Sequence, residues 1–463
     1  MRRPDILLVN PWIHDYAAYD LWARPLGLLM LASWLRKIGW EPHWLDCLDP
    51  DHPGMATPKK KPYGQGRFVR TPIQPPAILR GIPRTLSRYG VHPEVIEQDL
   101  HSIPRPKVIL LTSFMTYWYT GVQETVTVLR RVFPDVPIIL GGIYASLMPD
   151  HAARVIGADE VVSGPGERRL GTLLSHYSGI GPSYESAPTK LEFDPALDLL
   201  RTVSFLPLMT SRGCPFRCSY CASGRIMPSF VQRPFRKVIS WLEAAQERFG
   251  CHDVVLYDDA FLVNWQSHAL PILEASAERL PGMRWHSPNG LHAAAITPRL
   301  ARAMKRAGFE TIRLGIETTS DDFHARTGKK TSRQDFLTAV KNLHDNGFPP
   351  DRIGVYLLVG LPGQKKEEIE RDVEAVLAVG AYPKLAEYSP LPGTPMWSAA
   401  CAAARYPIHE EPLFHNCTLL PVAQHDVTWE FLHEMRKKII SYMRCGVTSP
   451  ANHPLAGDIG DES

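Results

Sequence analysis

The chain has 463 residues, which is enough for two or three domains with a sizeable core. Its formal net charge of only +3 gives no reason to expect a nucleic-acid partner or an acidic membrane surface. No apolar run reaches the roughly 18 residues of a membrane span, and eight cysteines in a chain of this length do not make a disulfide scaffold.

The first 200 residues alternate between short apolar runs and helical patterns. Strands are predicted at 5–11, 41–46, 107–113 and 136–142, and helices at 26–37 and 121–133. This alternation predicts an α/β domain with a doubly wound, Rossmann-like parallel sheet. Ligands of such sheets bind beyond the carboxyl ends of the strands. The residues at those ends are Asn10, Thr112, Ser113, Gly141 and Gly142.

Residues 50–83 interrupt this pattern. The stretch is rich in proline, glycine, lysine and arginine, and it is too long for an ordinary connection between strands. It is therefore either a functional insertion or poorly ordered, and its sequence does not distinguish the two.

Three cysteines stand close together in the middle of the chain, at Cys214, Cys218 and Cys221. Their C-x3-C-x2-C spacing lets one short loop wrap three thiolates around a metal cluster. A four-iron cluster held by three cysteines keeps one iron without a protein ligand, and an open metal position can bind a small molecule. A structural zinc site would need a fourth Cys or His at a regular spacing, and the sequence has no second C-x2-C pair.

A second series of strand-then-helix units extends to about residue 400. Strands are predicted within the segments 254–259, 311–317, 353–363 and 386–393. Functional groups at the carboxyl ends of strands are typical of an α/β barrel. A final helix is predicted at 428–442, where it could close the open side of the barrel or cap the active site. These patterns divide the chain into segments 1–200, 201–400 and 401–463, the last of them a small helical extension.

The cysteine motif resembles that of the radical S-adenosylmethionine (SAM) enzymes, and Tyr220 matches the aromatic residue that the family carries before the third cysteine. The resemblance implies a 4Fe-4S cluster on Cys214, Cys218 and Cys221, with SAM bound to the open iron. It also implies a partial (β/α)6 TIM-type barrel and the cleavage of SAM to a 5′-deoxyadenosyl radical. Because the cofactors supply this chemistry, the protein mainly binds, orients and excludes side reactions.

The same resemblance assigns SAM contacts to the strand ends. Asp258 and Asp259 fall where the family places acceptors for the amino group of SAM, and Glu317 falls where a side chain accepts from the ribose hydroxyls. The turn beside the adenine corresponds to Gly360, Leu361 and Pro362. Each residue could instead be a helix cap or a surface group. No catalytic acid or base is assigned.

The first segment resembles the cobalamin-binding-like domain that precedes the barrel in many members of the family. The resemblance lies in the strand end 9–11, in the helix start 25–28, and in residues 140–142 followed by Pro149. It implies cobalamin contacts at Asn10, Thr112, Ser113, Gly141 and Gly142. The D-x-H-x-x-G motif, whose histidine ligates cobalt in methionine-synthase-like proteins, is absent. The domain therefore binds cobalamin without that ligand, or it has kept the sheet and binds no corrin.

The resulting hypothesis is a cobalamin-dependent radical SAM C-methyltransferase. One alternative is a radical SAM enzyme that catalyses a cyclisation or rearrangement without methyl transfer. A second is a non-catalytic cobalamin- or SAM-binding regulator, although a regulator has no need of the three-cysteine motif. A methylthiotransferase would carry further cluster cysteines in its N-terminal domain, where Cys47 stands alone.

The expected partners are an unidentified substrate and a reducing protein such as flavodoxin or ferredoxin. An oxygen-sensitive cluster needs a reducing compartment, and the N-terminus leads into a strand without the apolar region of a signal peptide. We therefore expect a cytoplasmic protein with no membrane span.

Overall fold

The computed structural model describes residues 3–56, 58, 60–179, 193–328 and 330–446. The chain forms two compact units, Met1–Val203 and Ser204–Ser463. The division into segments 1–200, 201–400 and 401–463 stays a prediction. Within the described residues, no helix combines the length and the apolar character needed to cross a membrane.

The first unit alternates strands with helices along the chain. Its described strands are β1 (Asp5–Asn10), β2 (Ile13–Asp15), β3 (Glu41–Asp46), β4 (Arg70–Pro72), β5 (Ser87–Tyr89), β6 (Val108–Leu111), β7 (Ile138–Leu140) and β8 (Glu160–Val161). Its described helices are α1 (Leu26–Lys37), α2 (Pro93–Ser102), α3 (Tyr119–Val132), α4 (Ile143–Leu147), α5 (Pro149–Val155) and α6 (Glu167–Ser178).

Five of these strands form one parallel sheet in the order β3-β1-β6-β7-β8. Chain order reverses at β1, because β3 lies on one side of it and β6 on the other. In such sheets a ligand crevice opens at the carboxyl ends of the two strands that flank the reversal. Asn10 ends β1 and Thr112 directly follows β6, so both lie at this edge.

Helices cover both faces of the sheet, as the side chains of β1 show. Leu7 and Val9 pack with apolar residues of α2, α3 and α5, whereas Ile6 and Leu8 pack with those of α1 and α6. All four are fully buried, and burying a side chain of this size stabilises a fold by about 1.5–3 kcal/mol. The predicted doubly wound, Rossmann-like sheet is confirmed.

A small antiparallel sheet, in the order β2-β5-β4, was not predicted. Residues 50–83 contribute β4 and a short 3-10 turn at Ala77–Leu79. Tyr63 and Phe68 from the same stretch are buried, and the Tyr63 carbonyl accepts a hydrogen bond of 2.7 Å from the indole of Trp22. The described part of this stretch is therefore a folded insertion with its own apolar contacts.

The second unit continues the alternation. Its described strands are β9 (Leu206–Leu208), β10 (Ser211–Arg212), β11 (Val231–Gln232), β12 (Asp253–Leu256), β13 (Arg284–His286), β14 (Phe309–Glu317), β15 (Ile353–Val359) and β16 (Tyr382–Glu387). Its described helices are α7 (Ser223–Ile226), α8 (Phe235–Phe249), α9 (Ala269–Arg279), α10 (Pro298–Ala307), α11 (Asp321–Thr327), α12 (Arg333–Asp345), α13 (Lys366–Ala378), α14 (Trp397–Ala403) and α15 (Trp429–Gly446).

Six of these strands form a parallel sheet in the order β9-β12-β13-β14-β15-β16. The order follows the chain, and at least one helix precedes each strand from β12 onwards. Strands β9 and β16 are the two edges of the sheet. This is the predicted partial (β/α)6 barrel, open on one side.

The last predicted strand is wrong in position. Residues 386–393 were expected to form it, but β16 covers Tyr382–Glu387 and the following residues form turns. Pro390 and Pro392 lack the N–H groups that a strand in a sheet donates, which accounts for the end of pairing. The predicted C-terminal helix is present as α15, and Leu432 from it packs with Val359 of β15.

Candidate functional site

The three predicted cluster cysteines lie on one loop whose base is closed by a short antiparallel pair. Strands β10 and β11 join at Ser211 and Gln232. Gly213 follows with a φ of +78°, and a Cβ there would lie 2.4 Å from the Ser229 carbonyl oxygen, so only glycine fits. The thiols of Cys214, Cys218 and Cys221 are free, the first two half-buried and the third exposed.

Two backbone hydrogen bonds attach the middle of this loop to the rest of the barrel. Ser219 N donates to the Thr327 carbonyl of α11 at 3.2 Å, and Met396 N donates to the Ser219 carbonyl at 2.9 Å. Within the loop, Cys221 N donates to the Cys218 carbonyl. The cysteines are thus held by elements distant in sequence, although the spacing that identifies them is local.

Asp258 lies at the carboxyl end of β12, and its carboxylate points at the start of the cysteine loop. It accepts hydrogen bonds from Thr210 N (3.0 Å), from Thr210 Oγ1 (2.7 Å) and from Ser211 Oγ (2.5 Å). Burial raises the pKa of Asp258 to about 6 although these hydrogen bonds lower it. The structure gives this residue a positioning contact, while its predicted contact with SAM stays a prediction.

Thr210 also hydrogen-bonds to His268, with 2.7 Å between Oγ1 and Nε2. The single hydroxyl proton of Thr210 goes to Asp258, so His268 must donate from Nε2. Burial lowers the pKa of His268 to about 4, which keeps the imidazole neutral. Sequence reasoning missed Thr210 and His268, because neither belongs to a motif.

Asp259, the next predicted residue, is exposed and hydrogen-bonds to Ser223, close to the loop.

Glu317 ends β14 in a backbone conformation that is unusual for its residue type. Its φ is +64°, a region that side chains other than glycine rarely adopt and that costs about 1 kcal/mol or more. The pairing register between β14 and β15 shifts between Gly315 and Glu317. Such bulges redirect a side chain and are frequent next to functional sites.

The carboxylate of Glu317 meets two groups near the cysteines. Lys330 Nζ lies 3.4 Å from Glu317 Oε1, and the Tyr220 hydroxyl hydrogen-bonds with Glu317 and Cys218. Burial, and then the charges of Glu317 and Cys218, raise the pKa of Tyr220 far above its usual value, so its hydroxyl stays protonated. The structure therefore brings the predicted residues Tyr220, Glu317 and Cys218 together. It adds Lys330, which carried no sequence signal.

The predicted adenine turn follows β15. Gly360 has a φ of +78°, and a Cβ there would contact Ala423 and Leu420 at 3.4 and 3.5 Å. Leu361 is buried, and its N–H donates to Gln364. The side that Gly360 leaves without a side chain is therefore covered by the C-terminal segment. The proposed contacts of Gly360, Leu361 and Pro362 with adenine stay predictions.

The cysteine loop fits an iron–sulfur cluster by its donor set, since thiolates are the usual ligands of such clusters. Within the part of the chain that the structure describes, no three His, Cys, Asp or Glu side chains converge on a single ion. A structural zinc would need four ligands, and the loop supplies three thiols.

At the carboxyl edge of the sheet in the first unit, Asn10 is buried, and only one of its two side-chain polar atoms has a hydrogen-bond partner among the described residues. Its Nδ2 donates to Asp46 Oδ1 at 2.7 Å, whereas its Oδ1 has no hydrogen-bond partner among the described residues. Burial raises the pKa of Asp46 to about 6. Asp46 also lines a cavity of about 350 Å³ that extends to His52 and Asp99. A buried acceptor without a partner is costly unless a ligand or water completes it.

Ser113, Gly141 and Gly142 meet at the same edge. Ser113 Oγ donates to the Gly141 carbonyl at 2.7 Å and accepts from Ala145 N. Gly142 has a φ of +99°, and a Cβ there would lie 2.2 Å from the Ser113 carbonyl oxygen. At Gly141 a Cβ would meet nothing within 4 Å. A bulky ligand could approach the backbone at Gly141, whereas Gly142 and Ser113 build the loop.

These features fit a corrin ligand, but none supplies a histidine for its metal. His14 is engaged through both ring nitrogens, at 3.1 Å from Thr120 Oγ1 and 2.7 Å from Glu124 Oε2. Asn10 offers a free buried acceptor, and Gly141 offers open space. Thr112 is half-buried between the two.

Comparison with known families agrees with this geometry. The family model described as the radical SAM superfamily matches residues 208–376, which include all three cysteines, Asp258 and Glu317. The model described as the B12-binding domain matches residues 85–174, which include Ser113, Gly141 and Gly142 but not Asn10.

The curated proteins that are related to the chain at low identity include the following two. One, named an uncharacterised methyltransferase from Pyrococcus horikoshii, is 24% identical over 328 residues, which is 64% of this chain and 70% of that protein. The other, an anaerobic magnesium-protoporphyrin IX monomethyl ester cyclase from Cereibacter sphaeroides, is 24% identical over 329 residues. That match spans 63% of this chain but only 53% of the cyclase.

Solved structures share the fold. The radical SAM methyltransferase TsrM from Kitasatospora setae superposes with a TM-score of 0.63 at 18% identity, over 88% of this chain and 78% of TsrM. The cobalamin-dependent SAM radical enzyme OxsB has a TM-score of 0.56 at 16% identity, over 86% of this chain and 55% of OxsB. The two family matches fall on the two compact units, so a radical SAM domain is found in the second unit and a B12-binding domain in the first.

Proposed function

We propose that the protein is a cobalamin-dependent radical SAM methyltransferase that transfers a methyl group to carbon. The observation that carries this proposal is the presence of a B12-binding match and a radical SAM match on one chain, in that order. The named methyltransferase from Pyrococcus horikoshii, which the chain covers over 70% of its length, supports it further.

In the second unit, Cys214, Cys218 and Cys221 would hold the 4Fe-4S cluster. When bound, the cluster and SAM supply a 5′-deoxyadenosyl radical, and cobalamin supplies a methyl group. Asp258 fixes the start of the cysteine loop through Thr210. The phenol of Tyr220 holds Glu317 next to the loop.

Glu317 and Asp259 would then present carboxylates to the hydroxyl and ammonium groups of SAM, for which ionised acceptors are strong partners. Lys330 balances the charge of Glu317 beside the cysteines. Burial alone would lower the pKa of Lys330, but the neighbouring Glu317 and Cys218 raise it, so the amine remains a cation.

In the first unit, the free acceptor of Asn10 would receive a donor from the corrin side chains, which carry amides. Gly141 would let the ring approach the backbone. Because His14 is engaged by Thr120 and Glu124, and His52 by Asp99 and Gly54, we propose that neither histidine ligates cobalt. The electron for the cluster would come from a small reducing protein of the flavodoxin or ferredoxin type.

The test is anaerobic reconstitution with iron, sulfide and hydroxocobalamin, followed by desalting and quantification of iron and corrin per protein. We expect near-stoichiometric corrin and about four irons. The Cys214→Ala/Cys218→Ala/Cys221→Ala variant should lose the iron and keep the corrin. Cys401→Ala, a half-buried cysteine outside the loop, is the matched control and should keep both.

If the reconstituted protein holds the iron–sulfur cluster but no corrin, the proposal that it transfers a methyl group from cobalamin is refuted. The protein would then be a radical SAM enzyme of the cyclising or rearranging kind. Corrin without a cluster in the wild type would instead favour a cobalamin-binding regulator.

A further inference from the structure

The two faces of the barrel sheet differ in chemistry. Along β15, Val355 and Val359 are fully buried, and Val359 packs against Ile369 of α13. Side chains alternate along a strand, so Leu357 shares their face, whereas Tyr356 and Leu358 point to the opposite, concave face. On that face Tyr356 and Leu358 are half-buried, so solvent reaches part of the barrel interior.

Arg313 lies on this concave face, on β14. It pairs in register with Gly354 of β15. A Cβ on Gly354 would lie 2.7 Å from both Cδ and Nη1 of Arg313, so the arginine occupies the space that the glycine leaves. Arg313 is only 5% exposed. The strand pair is therefore built around a guanidinium inside the barrel.

This buried cation has no carboxylate partner among the described residues. Its Nη1 donates to the neighbouring Ile312 carbonyl at 3.0 Å, and its side chain also hydrogen-bonds with the neutral phenol of Tyr356. Arg284 on the adjacent strand, by contrast, forms a bidentate pair with Asp253 at 2.7 and 2.6 Å.

A buried charge without an ion pair is unfavourable unless another group compensates it. Burial lowers the pKa of Arg313, but an arginine does not avoid the penalty by losing its proton, because it is not deprotonated in proteins. The guanidinium also presents a planar set of donors that matches carboxylate and phosphate oxygens. An anion from outside the described chain would compensate this charge.

We propose that Arg313 binds an anionic group of the substrate, a carboxylate or a phosphate-type group, inside the barrel. This inference rests on the proposed function, because it assigns the interior of the barrel to the substrate. Arg313 lies four residues before Glu317 on β14, which corresponds to roughly 13 Å along a strand. If SAM lies at the level of Glu317, the substrate is elongated, with its anionic end separated from the carbon that reacts.

The test uses the reconstituted holoenzyme with simple anions as probes, at constant ionic strength. Thermal midpoints are measured against increasing acetate, methylphosphonate and neutral acetamide, which yields apparent dissociation constants. We expect acetate, methylphosphonate or both to stabilise the wild type saturably, and acetamide not to do so. The anion that acts distinguishes a carboxylate from a phosphate-type substrate.

Arg313→Met should raise the apparent dissociation constant of the anion that stabilises the wild type about tenfold or more, because a charge-assisted hydrogen-bonding pair is lost. Arg313→Lys should fall between the two, since it keeps the charge without the planar fork. Arg302→Met, at an exposed position on α10, should behave as the wild type. Equal anion stabilisation in wild type and Arg313→Met, or none in either, would overturn the proposal.

SAM binding is measured in the same proteins by equilibrium dialysis. If Arg313→Met loses SAM rather than the anions, Arg313 belongs to the cofactor site and the substrate assignment is wrong. The proposed function fails separately, if the wild type forms no 5′-deoxyadenosine from SAM with a chemical reductant or takes up no corrin. Anion binding at Arg313 does not depend on either result, so the two failures are distinguishable.

Discussion

The carboxylate of Asp258 accepts hydrogen bonds from both the backbone N–H and the hydroxyl of Thr210, at 3.0 and 2.7 Å. Thr210 is completely buried, and its hydroxyl also receives a hydrogen bond from His268. One side chain therefore joins the carboxyl end of β12 to the residue that leads into the cysteine loop. We expect the position of the cysteine loop to depend on this contact, although no cysteine takes part in it.

Thr210→Val removes the hydroxyl with little change of shape, leaves His268 without its acceptor and takes one hydrogen bond from Asp258, which keeps those from Thr210 N and Ser211 Oγ. We expect a loss of about 2 kcal/mol, since an unsatisfied buried group costs about 1–3 kcal/mol. The thermal midpoint should fall by several degrees, and less iron should be retained after reconstitution. Thr338→Val, at an exposed position on α12, should change neither value. Full iron content in a destabilised Thr210→Val would show that the loop is positioned without this contact.

The two glycines after β7 allow a test that separates folding from ligand binding. Gly142→Ala places a Cβ 2.2 Å from the Ser113 carbonyl at a φ of +99°, so we expect a marked loss of stability in the first unit. Gly141→Ala meets nothing within 4 Å and should leave the thermal midpoint unchanged. If cobalamin approaches the backbone there, Gly141→Ala should still lower the corrin content after reconstitution. Unchanged corrin binding in Gly141→Ala would place the corrin elsewhere.

The sheets could be predicted from sequence where the pattern is local. Helix α1 and strand β3 lie at their predicted bounds, because apolar periodicity within one element determines both. The sheet β2-β5-β4 was missed, because its strands are three residues long and Ile13 pairs with Tyr89 across a long separation. Strands this short carry too few alternations to be distinguished from loops.

The candidate site shows the same limit. Motifs and strand ends located Cys214, Asp258 and Glu317, but not the groups that hold them. Thr210 lies 48 positions from Asp258, and Lys330 reaches Glu317 from a turn with no motif of its own. Nor does a sequence show whether a buried arginine such as Arg313 has a counter-ion, because that depends on side chains from several strands.

Glu317 should contribute more to SAM affinity than an ordinary carboxylate of the same strand. Glu317→Gln keeps the shape at the φ of +64° but loses the charge that would accept from the ribose hydroxyls. We expect SAM affinity to fall about tenfold, since hydrogen bonds to charged groups contribute about 1.5–3 kcal/mol. Equilibrium dialysis with labelled SAM measures this. Glu310→Gln, at the opposite end of β14 where Glu310 pairs with Arg352, should bind SAM normally. Equal affinities in the two variants would remove Glu317 from the SAM site.

The ion pair at the start of β12 should make stability depend on pH in a defined direction. Burial alone would raise the pKa of Asp253, but hydrogen bonds from Arg284 and His286 lower it below its usual value of 3.8. The unfolded chain therefore takes up the proton first as the pH falls. The stabilisation is complete above the unfolded pKa and is lost as the pH falls through the lower folded pKa.

Asp253→Asn removes this contribution. At neutral pH we expect it to destabilise the second unit by about 2 kcal/mol, because the buried His286 and the partly exposed Arg284 both lose a charged acceptor. Urea midpoints measured from pH 7 to pH 3 should show a constant gap between wild type and Asp253→Asn down to about pH 5, and a narrowing gap below about pH 4. Asp345→Asn, which breaks an exposed pair with Lys341, should shift the midpoint little at any pH. A gap that stays constant down to pH 3 would mean that Asp253 contributes through its shape and not through its charge.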